Sequence, residues 1–404
     1  MHLKRKIWTS VGAFVVVGAG LVYIPAITQT SAQSQLLPQA DPLTAVEVAP
    51  STLLFAQGGE GSEMIPNTDE MEDVATGQAI VTHFVDQVII PTYEQLTQKA
   101  STMADAVIAF ADQPTEKTLQ TARQSWISAR DPWEQSEAFA FGPAASLGYD
   151  ADLDDWPVNE TDVIAVLNSD QPLTRATIAE LQTTQKGYHT IEFLLFGLNN
   201  NKTLSEFTER ELEYLRALAI HFEDTASALL ASWVEGVEGN PPYRQVLVTA
   251  GEVDNPAYLT VRSSVVELVA GMIALLDEVA NEKLGDPLST QETFGFESRF
   301  SQTSLDDFRN NLLSVQSVYM AKLPDETGSG DTSLSRYIAS QNPELDQQFQ
   351  QKLQAAIAAI EAVPAPIEAT LSDSEAFAQL SQAQIAVLDL LKTVEDEILP
   401  MVQS

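Results

Sequence analysis

Apolar side chains recur every three or four positions along most of the chain after residue 73, and this spacing predicts amphipathic α-helices. Capping residues mark two helix starts, at Pro114-Thr115 and at Thr208 followed by Glu211. A further helix is expected to begin near Thr174. The apolar stripes of this half contain Val81, Val85, Val88, Ile89, Tyr93, Leu96, Leu119, Trp126, Ala129, Trp133, Leu212, Leu215, Ala219, Phe222, Leu229 and Trp233.

The helical spacing stops between residues 236 and 256, where glycines and prolines favour a long break, and it then resumes. Hardly any run alternates apolar and polar residues as a strand would, so a sheet is not expected. The prediction is an all-α protein with one helical bundle at 74–240 and a second at 241–404. The second bundle has its stripes at Leu259, Val266, Val269, Met272, Ile273, Leu276, Phe308, Leu312, Val315, Tyr319, Phe349, Leu353, Ile357, Ile360, Phe377, Leu380, Leu388, Leu391 and Ile398.

The N-terminal extension has the layout of an export signal. Basic residues at positions 4–6 precede an apolar run at 7–24, and small residues follow, so residues 1–32 are predicted to be a signal peptide. An uncleaved membrane anchor is the alternative. Residues 33–73, rich in Gly, Ser, Pro and acidic side chains, are predicted to form a flexible linker. The protein is expected to be exported, either periplasmic or membrane-associated.

Charge and cysteine content restrict the function classes. The 404-residue chain has 57 acidic and 21 basic residues, a formal net charge of -36, so it repels nucleic-acid phosphates and no nucleic-acid partner is expected. Such a surface attracts cations. The alternative explanation is that the negative charge only keeps the protein soluble. The chain has no cysteine, so any metal site must use oxygen and imidazole ligands.

His189 and Glu192 lie three residues apart, so a helix presents both side chains on one face. Gly187 leaves room beside the backbone, and the apolar residues 193–196 predict burial. A buried charged pair needs partners, so either a structural salt bridge or a functional site is implied. The same spacing arises without such a setting at His83–Asp86 and His221–Asp224.

Arg130, Glu134 and Glu137 share a second predicted helix face, with Trp126 and Trp133 beside them. An internal ion pair within an aromatic core is the structural interpretation of this group. A third segment, residues 150–157, begins like a calcium loop. It then departs from that pattern, because Asp155 stands where the loop needs glycine and Thr161 where it needs glutamate. A structured acidic turn anchored by Trp156 is predicted instead.

These segments occur together and in order, and in this they resemble the imelysin family, also called the imelysin peptidase or insulin-cleaving membrane protease family. Within it the chain is similar to the iron-regulated protein A branch. The segments that carry the resemblance are Trp126-x-x-x-Arg130 with Glu137 and Phe141-Gly142-Pro143, Asp155-Trp156-Pro157, Gly187-x-His189-x-x-Glu192, Glu297-Ser298-Arg299-Phe300-Ser301 and Asp306-Asp307-Phe308.

The resemblance implies two helical bundles, with the Gly-x-His-x-x-Glu segment near their interface. It further implies that Glu137, Arg130, Asp155 and Arg299 converge on that segment. The residues alone do not establish such a meeting.

Three functions are compatible with these observations. In the first, His189, Glu192, Glu137 and Asp155 bind iron or another divalent cation, free or chelated, for delivery to a membrane uptake component. The second is a metal-dependent peptidase, although His-Glu-x-x-His and the other standard catalytic motifs are absent from the sequence. The third is a structural or receptor protein without metal. Whether the protein is an enzyme stays open at this point.

Overall fold

Helices form all the regular secondary structure in the residues that the computed structural model describes, which are 68–404 except 331, with side chains from residue 76 onward. The all-α prediction is therefore confirmed. The signal peptide and most of the linker predicted from the sequence lie outside the described residues. The first half contains α1 (Thr68–Phe84), α2 (Ile90–Asp112), α3 (Glu116–Glu134), α4 (Pro143–Ser146), α5 (Tyr149–Asp154), α6 (Glu160–Leu167), α7 (Arg175–Ala179), α8 (Gly187–Phe196) and α9 (Glu209–Val234).

The second half likewise contains both long and short helices. They are α10 (Tyr243–Val248), α11 (Val261–Glu278), α12 (Gly285–Thr290), α13 (Ser304–Met320), α14 (Leu334–Gln341), α15 (Pro343–Glu361), α16 (Ile367–Thr370), α17 (Ser374–Thr393) and α18 (Leu399–Gln403). Three π-helical turns extend longer helices, at Val85–Ile89, Val279–Lys283 and Val394–Ile398. Turns of this kind occur often at functional sites, because the extra residue redirects side chains. No described helix combines the length and apolar composition that a membrane crossing requires.

Capping residues set the helix starts that the sequence predicted. The Thr115 hydroxyl accepts a hydrogen bond from the Thr118 backbone N–H at 3.2 Å, at the start of α3. At α9, the Thr208 hydroxyl accepts one from the Glu211 N–H at 3.2 Å, and the Glu211 carboxylate accepts one from the Thr208 N–H at 2.8 Å. Each reciprocal pair satisfies backbone donors that the first helical turn leaves free.

The core begins with α2, which packs against both α3 and α9. Large aromatic side chains fill the space between these helices, among them Tyr93, Trp126 and Trp233, all fully buried. Burial of each large apolar side chain contributes roughly 1.5–3 kcal/mol. Packing between these helices therefore stabilises them more than their intrinsic helix propensities do. They form a rigid base for the short helices α5 and α8.

Helices of the two halves pack directly against each other. Helix α1 contacts α11, α3 contacts α13, and α11 contacts the 3₁₀ turn Glu137–Phe139. Gly271 permits this last contact, because a Cβ at that position would collide with the backbone oxygen of Ala138. The expected division into bundles at 74–240 and 241–404 stays a prediction, while α1 already begins at Thr68. The contact between the halves brings distant acidic residues together.

Candidate metal centre

His189 and Glu192 lie on one face of α8 and form a buried pair. His189 Nδ1 is 3.1 Å from Glu192 Oε2, and the two side chains are 1% and 0% exposed. The other carboxylate oxygen of Glu192, Oε1, accepts hydrogen bonds from the backbone N–H groups of Phe300 (3.0 Å) and Ser301 (2.7 Å), and from the Ser301 hydroxyl (2.8 Å). Glu192 therefore fixes both the imidazole ring and the loop that follows Glu297.

Gly187 allows the start of α8 to approach the end of α5. Its φ is +80°, and a Cβ there would lie only 2.5 Å from the backbone oxygen of Leu153, a separation that no side chain tolerates. This approach places Asp154, the last residue of α5, beside the imidazole ring. Asp154 Oδ1 is 3.2 Å from His189 Nε2.

Asp154, and not Asp155, is the aspartate that meets His189. It also pairs with Arg130 and accepts a hydrogen bond from Trp133 Nε1 at 2.5 Å. Burial alone would raise the pKa of Asp154, but the charges of Arg130 and His189 outweigh it and lower that pKa. Asp155 lies just beyond the helix end with extended backbone angles, and its carboxylate accepts a hydrogen bond from the Thr183 hydroxyl. The helix end thus turns consecutive aspartates in different directions.

Arg130 on α3 is the hub of the acidic side chains around His189. Its guanidinium, 2% exposed, pairs with Glu134 and Asp154, lies 3.2 Å from Glu297 Oε1 and 3.4 Å from Asp307 Oδ1. A buried guanidinium needs several acceptors, because it presents five N–H donors in a fixed plane. The carboxylates come from four separate chain segments, so Arg130 joins both halves of the protein.

Lys283 is the second buried cation and ends the π-helical turn Val279–Lys283. Its ammonium donates to Glu137 Oε2 at 2.9 Å and to Asn311 Oδ1 at 3.1 Å, and it pairs with Glu297 Oε1 at 3.0 Å. The sequence interpretation made Glu137 a metal ligand, and in the structure its carboxylate pairs with the Lys283 ammonium. Burial lowers the pKa of Lys283, but the surrounding carboxylates outweigh it and raise that pKa well above the usual range.

We call these groups together the charged cluster. It consists of the acidic Glu134, Glu137, Asp154, Glu192, Glu297 and Asp307 and the basic Arg130, His189 and Lys283. Six carboxylates thus face three basic groups. Burial raises the pKa of Glu134 and of Glu137 well above the usual range, and that of Asp307 to about 7. Because its carboxylates outnumber its basic groups, the cluster favours the binding of protons or of a cation.

His189 takes one of those protons. Burial by itself lowers the pKa of this imidazole, but the charge of Asp154 and hydrogen bonds with Asp154 and Glu192 raise it to about 10. The sequence alone suggests the ordinary value near 6.5. A cation that binds the imidazole nitrogen must therefore displace a proton throughout the neutral pH range.

The ligand atoms present fit a metal ion of ordinary bond lengths. Donor atoms of Asp154, His189 and Glu297 lie within 4.8 Å of one another, and so do those of Glu134, Glu137, Asp154 and Glu297. Metal bonds of about 2.0–2.2 Å hold ligand atoms no more than about 4.4 Å apart, so shifts of a few tenths of an ångström suffice. Glu297 Oε2 is buried and accepts no hydrogen bond from the described part of the chain, which leaves a lone pair available.

The remaining predicted residues flank the cluster. Arg299 pairs with Glu160 and lies over the Phe300 ring at 4.2 Å. Trp156 Nε1 donates to the Phe296 backbone oxygen at 3.3 Å. Both support the loop that carries Glu297. The sequence interpretation assigned no ligand role to Asp154, Glu297 or Asp307, and it missed Lys283, for which no local pattern gave a signal.

Comparison with known proteins identifies relatives of this chain. The imelysin family matches residues 89–394. Iron-regulated protein A of Synechococcus elongatus is 36% identical over 331 residues, which cover 81% of this chain and 88% of that protein. A solved structure from Parabacteroides distasonis, assigned as an iron-regulated protein A precursor, is 25% identical with a TM-score of 0.75, covering 82% of this chain and 96% of the other.

An imelysin-like protein from Psychrobacter arcticum 273-4 has the same fold. Its TM-score is 0.65 at 13% identity, over 82% of this chain and 96% of the other. The two proteins therefore share the fold although few of their residues are identical. With the family match over most of its length, the chain belongs to the imelysin family.

Proposed function

We propose that this protein binds iron or a related divalent cation at His189, Asp154 and Glu297, and that it takes part in iron acquisition after export. The similarity to iron-regulated protein A supports an iron-related role. The observation that carries the binding proposal is the surplus of buried carboxylates around one imidazole. One nitrogen and several oxygen ligands suit Fe²⁺, Mn²⁺ and Zn²⁺.

Each residue around the centre has a separate task in this proposal. His189, Asp154 and Glu297 supply the ligand atoms. Glu192 bonds the other imidazole nitrogen and holds the ring in place, as partners of ligating histidines generally do. Arg130 keeps Asp154 and Glu297 assembled and must shift when a cation takes their charge.

Cation binding is favoured over peptide hydrolysis by the burial of the ligands. His189, Asp154 and Glu297 are 1%, 4% and 2% exposed at their side chains, so a peptide backbone has no access to them in this conformation. A small ion needs much less room. Delivery of the ion, free or chelated, to a membrane uptake component and a periplasmic or membrane-associated location complete the proposal.

The test is an anaerobic calorimetric titration of the folded protein with ferrous iron at pH 8. Saturable binding is expected in the wild type and is expected to disappear in His189→Ala. His221→Ala, which removes a histidine outside the charged cluster, serves as the control and should bind normally. Glu192→Gln should weaken binding about 10–100-fold, as loss of an orienting partner does. If the folded wild type bound no iron, the structural alternative would replace this proposal.

A further inference from the structure

The oxygen atoms around Lys283 resemble the surroundings of a metal ion. Three of them, from Glu137, Glu297 and Asn311, lie 2.9–3.1 Å from the ammonium nitrogen. Oxygen atoms of Glu278 and Glu134 follow at 3.5 and 3.7 Å. The ammonium has three N–H donors, which the nearest oxygens occupy, so the outer two carboxylates contribute mainly charge.

Asn311 shows that this cage is built to face a cation. Its amide NH₂ donates to Glu134 Oε2 and to Glu137 Oε2, both at 2.6 Å. This fixes the amide oxygen toward Lys283 and holds two carboxylates at the spacing of neighbouring ligands. Glu297, whose Oε1 contacts Lys283, has in Oε2 a second buried oxygen that accepts no hydrogen bond from the described residues.

The carboxylates on Lys283 differ widely in their exposure to solvent. Their side-chain exposure falls from 43% at Glu278 to 13% at Glu137, 2% at Glu297 and 0% at Glu134. Glu278 therefore lies at the solvent-exposed edge of the cage, and Glu134 is its most deeply buried member.

We infer that Glu137, Glu297 and Asn311 form a second divalent-cation position, which the ammonium of Lys283 occupies as a built-in cation. The inference rests on the proposed function in that Glu297 would serve both positions. Hard cations such as Mn²⁺ and Ca²⁺ bind all-oxygen cages of carboxylates and amide carbonyls. With Lys283 in place, the protein takes a single ion at His189.

The test is to remove the ammonium and count bound Mn²⁺ by equilibrium dialysis with metal analysis. Lys283→Gln leaves buried carboxylates unpaired and endangers folding, so the main variant is Lys283→Gln/Glu278→Gln, which keeps the net charge and the three nearest oxygens. Lys352→Gln, which removes an ammonium from an exposed ion pair with Asp389, is the control. Circular dichroism establishes that each variant is folded.

We expect the bound Mn²⁺ per chain to double in Lys283→Gln/Glu278→Gln and to stay unchanged in Lys352→Gln. Adding Glu137→Gln to the double variant should abolish the extra ion, whereas adding His189→Ala should abolish only the original one. Unchanged stoichiometry in the folded double variant, with binding in the wild type, would overturn the inference and leave the proposed function intact. An ion in the double variant alone would support the inference and refute the proposed function.

Discussion

Two histidine–aspartate pairs originate from α5, and only one of them belongs to the charged cluster. Asp154 meets His189 at 3.2 Å with both side chains almost fully buried. Asp152 meets His221 at 3.6 Å, with side-chain exposures of 29% and 10%, and this pair lines a surface pocket together with Arg175 and Asp224. The two pairs have the same chemistry and differ in their surroundings.

The difference shows that a histidine beside a carboxylate does not make a site by itself. Around His221, solvent screens the charges, and Asp152 has Lys186 as a direct partner at 2.7 Å. Around His189, the carboxylates that converge are almost fully buried, and the pKa of the imidazole rises to about 10. Burial converts weak surface attractions into strong ones, because the effective dielectric falls.

The largest expected effect separates the two regions by stability. Arg130→Met removes the buried guanidinium and leaves its carboxylates without a partner, so the free energy of unfolding should fall by about 3–5 kcal/mol. Arg175→Met breaks an ion pair with Asp224 whose arginine is 68% exposed, and about 0–1 kcal/mol is expected. Urea denaturation measures both. Similar losses in the two variants would contradict the contrast.

A smaller effect is expected where α8 approaches α5. Gly187→Ala should cost about 3 kcal/mol, because left-handed strain and a collision with Leu153 add together. Gly148→Ala is the matched control, since Gly148 precedes α5 with φ +74° and a Cβ there has open space. It should cost only about 1–2 kcal/mol. Equal costs would mean that the close approach is not what positions Asp154.

The smallest expected effect, taken per pH unit, is a pH dependence of the stability of the metal-free protein. His189 has a pKa raised to about 10 by its carboxylate partners, so its contribution to stability is fully present below about pH 6.5 and is lost as the pH rises through about 10. The stability difference between wild type and His189→Gln should shrink by at most about 1.4 kcal/mol per pH unit in that window. Chelator-treated samples in urea measure it, and a constant difference would refute the raised pKa.

The helices could be predicted because their signals are local. Apolar periodicity and the caps at Thr115 and Thr208 act within a few residues, and the structure has helices at both places. The helix expected to begin near Thr174 does begin there, but it is short, because α7 ends at Ala179 and a 3₁₀ turn precedes α8. These local signals gave no information on how α3, α8 and α13 come together.

From the residues alone, the candidate site was predicted only where its members are neighbours in sequence, while the family resemblance also pointed to Arg130 and Glu137. His189 and Glu192 share a helical turn, so spacing alone put them on one face. The choice of Asp154 over Asp155 depends on where α5 ends and on what α8 presses against it. Glu297, Asp307 and Lys283 reach the cluster from more than a hundred residues away along the chain, through helix packing that no local pattern encodes.

The sequence by itself determined the all-α class, the absence of thiol ligands and the shared face of His189 and Glu192. These follow from residue type and from the geometry of a single helix. Only the tertiary structure decided which carboxylates surround His189, that Lys283 holds a cage of oxygens, and that the imidazole keeps its proton above neutral pH. Burial and the meeting of distant charges set those properties, and both arise only when the two halves pack together.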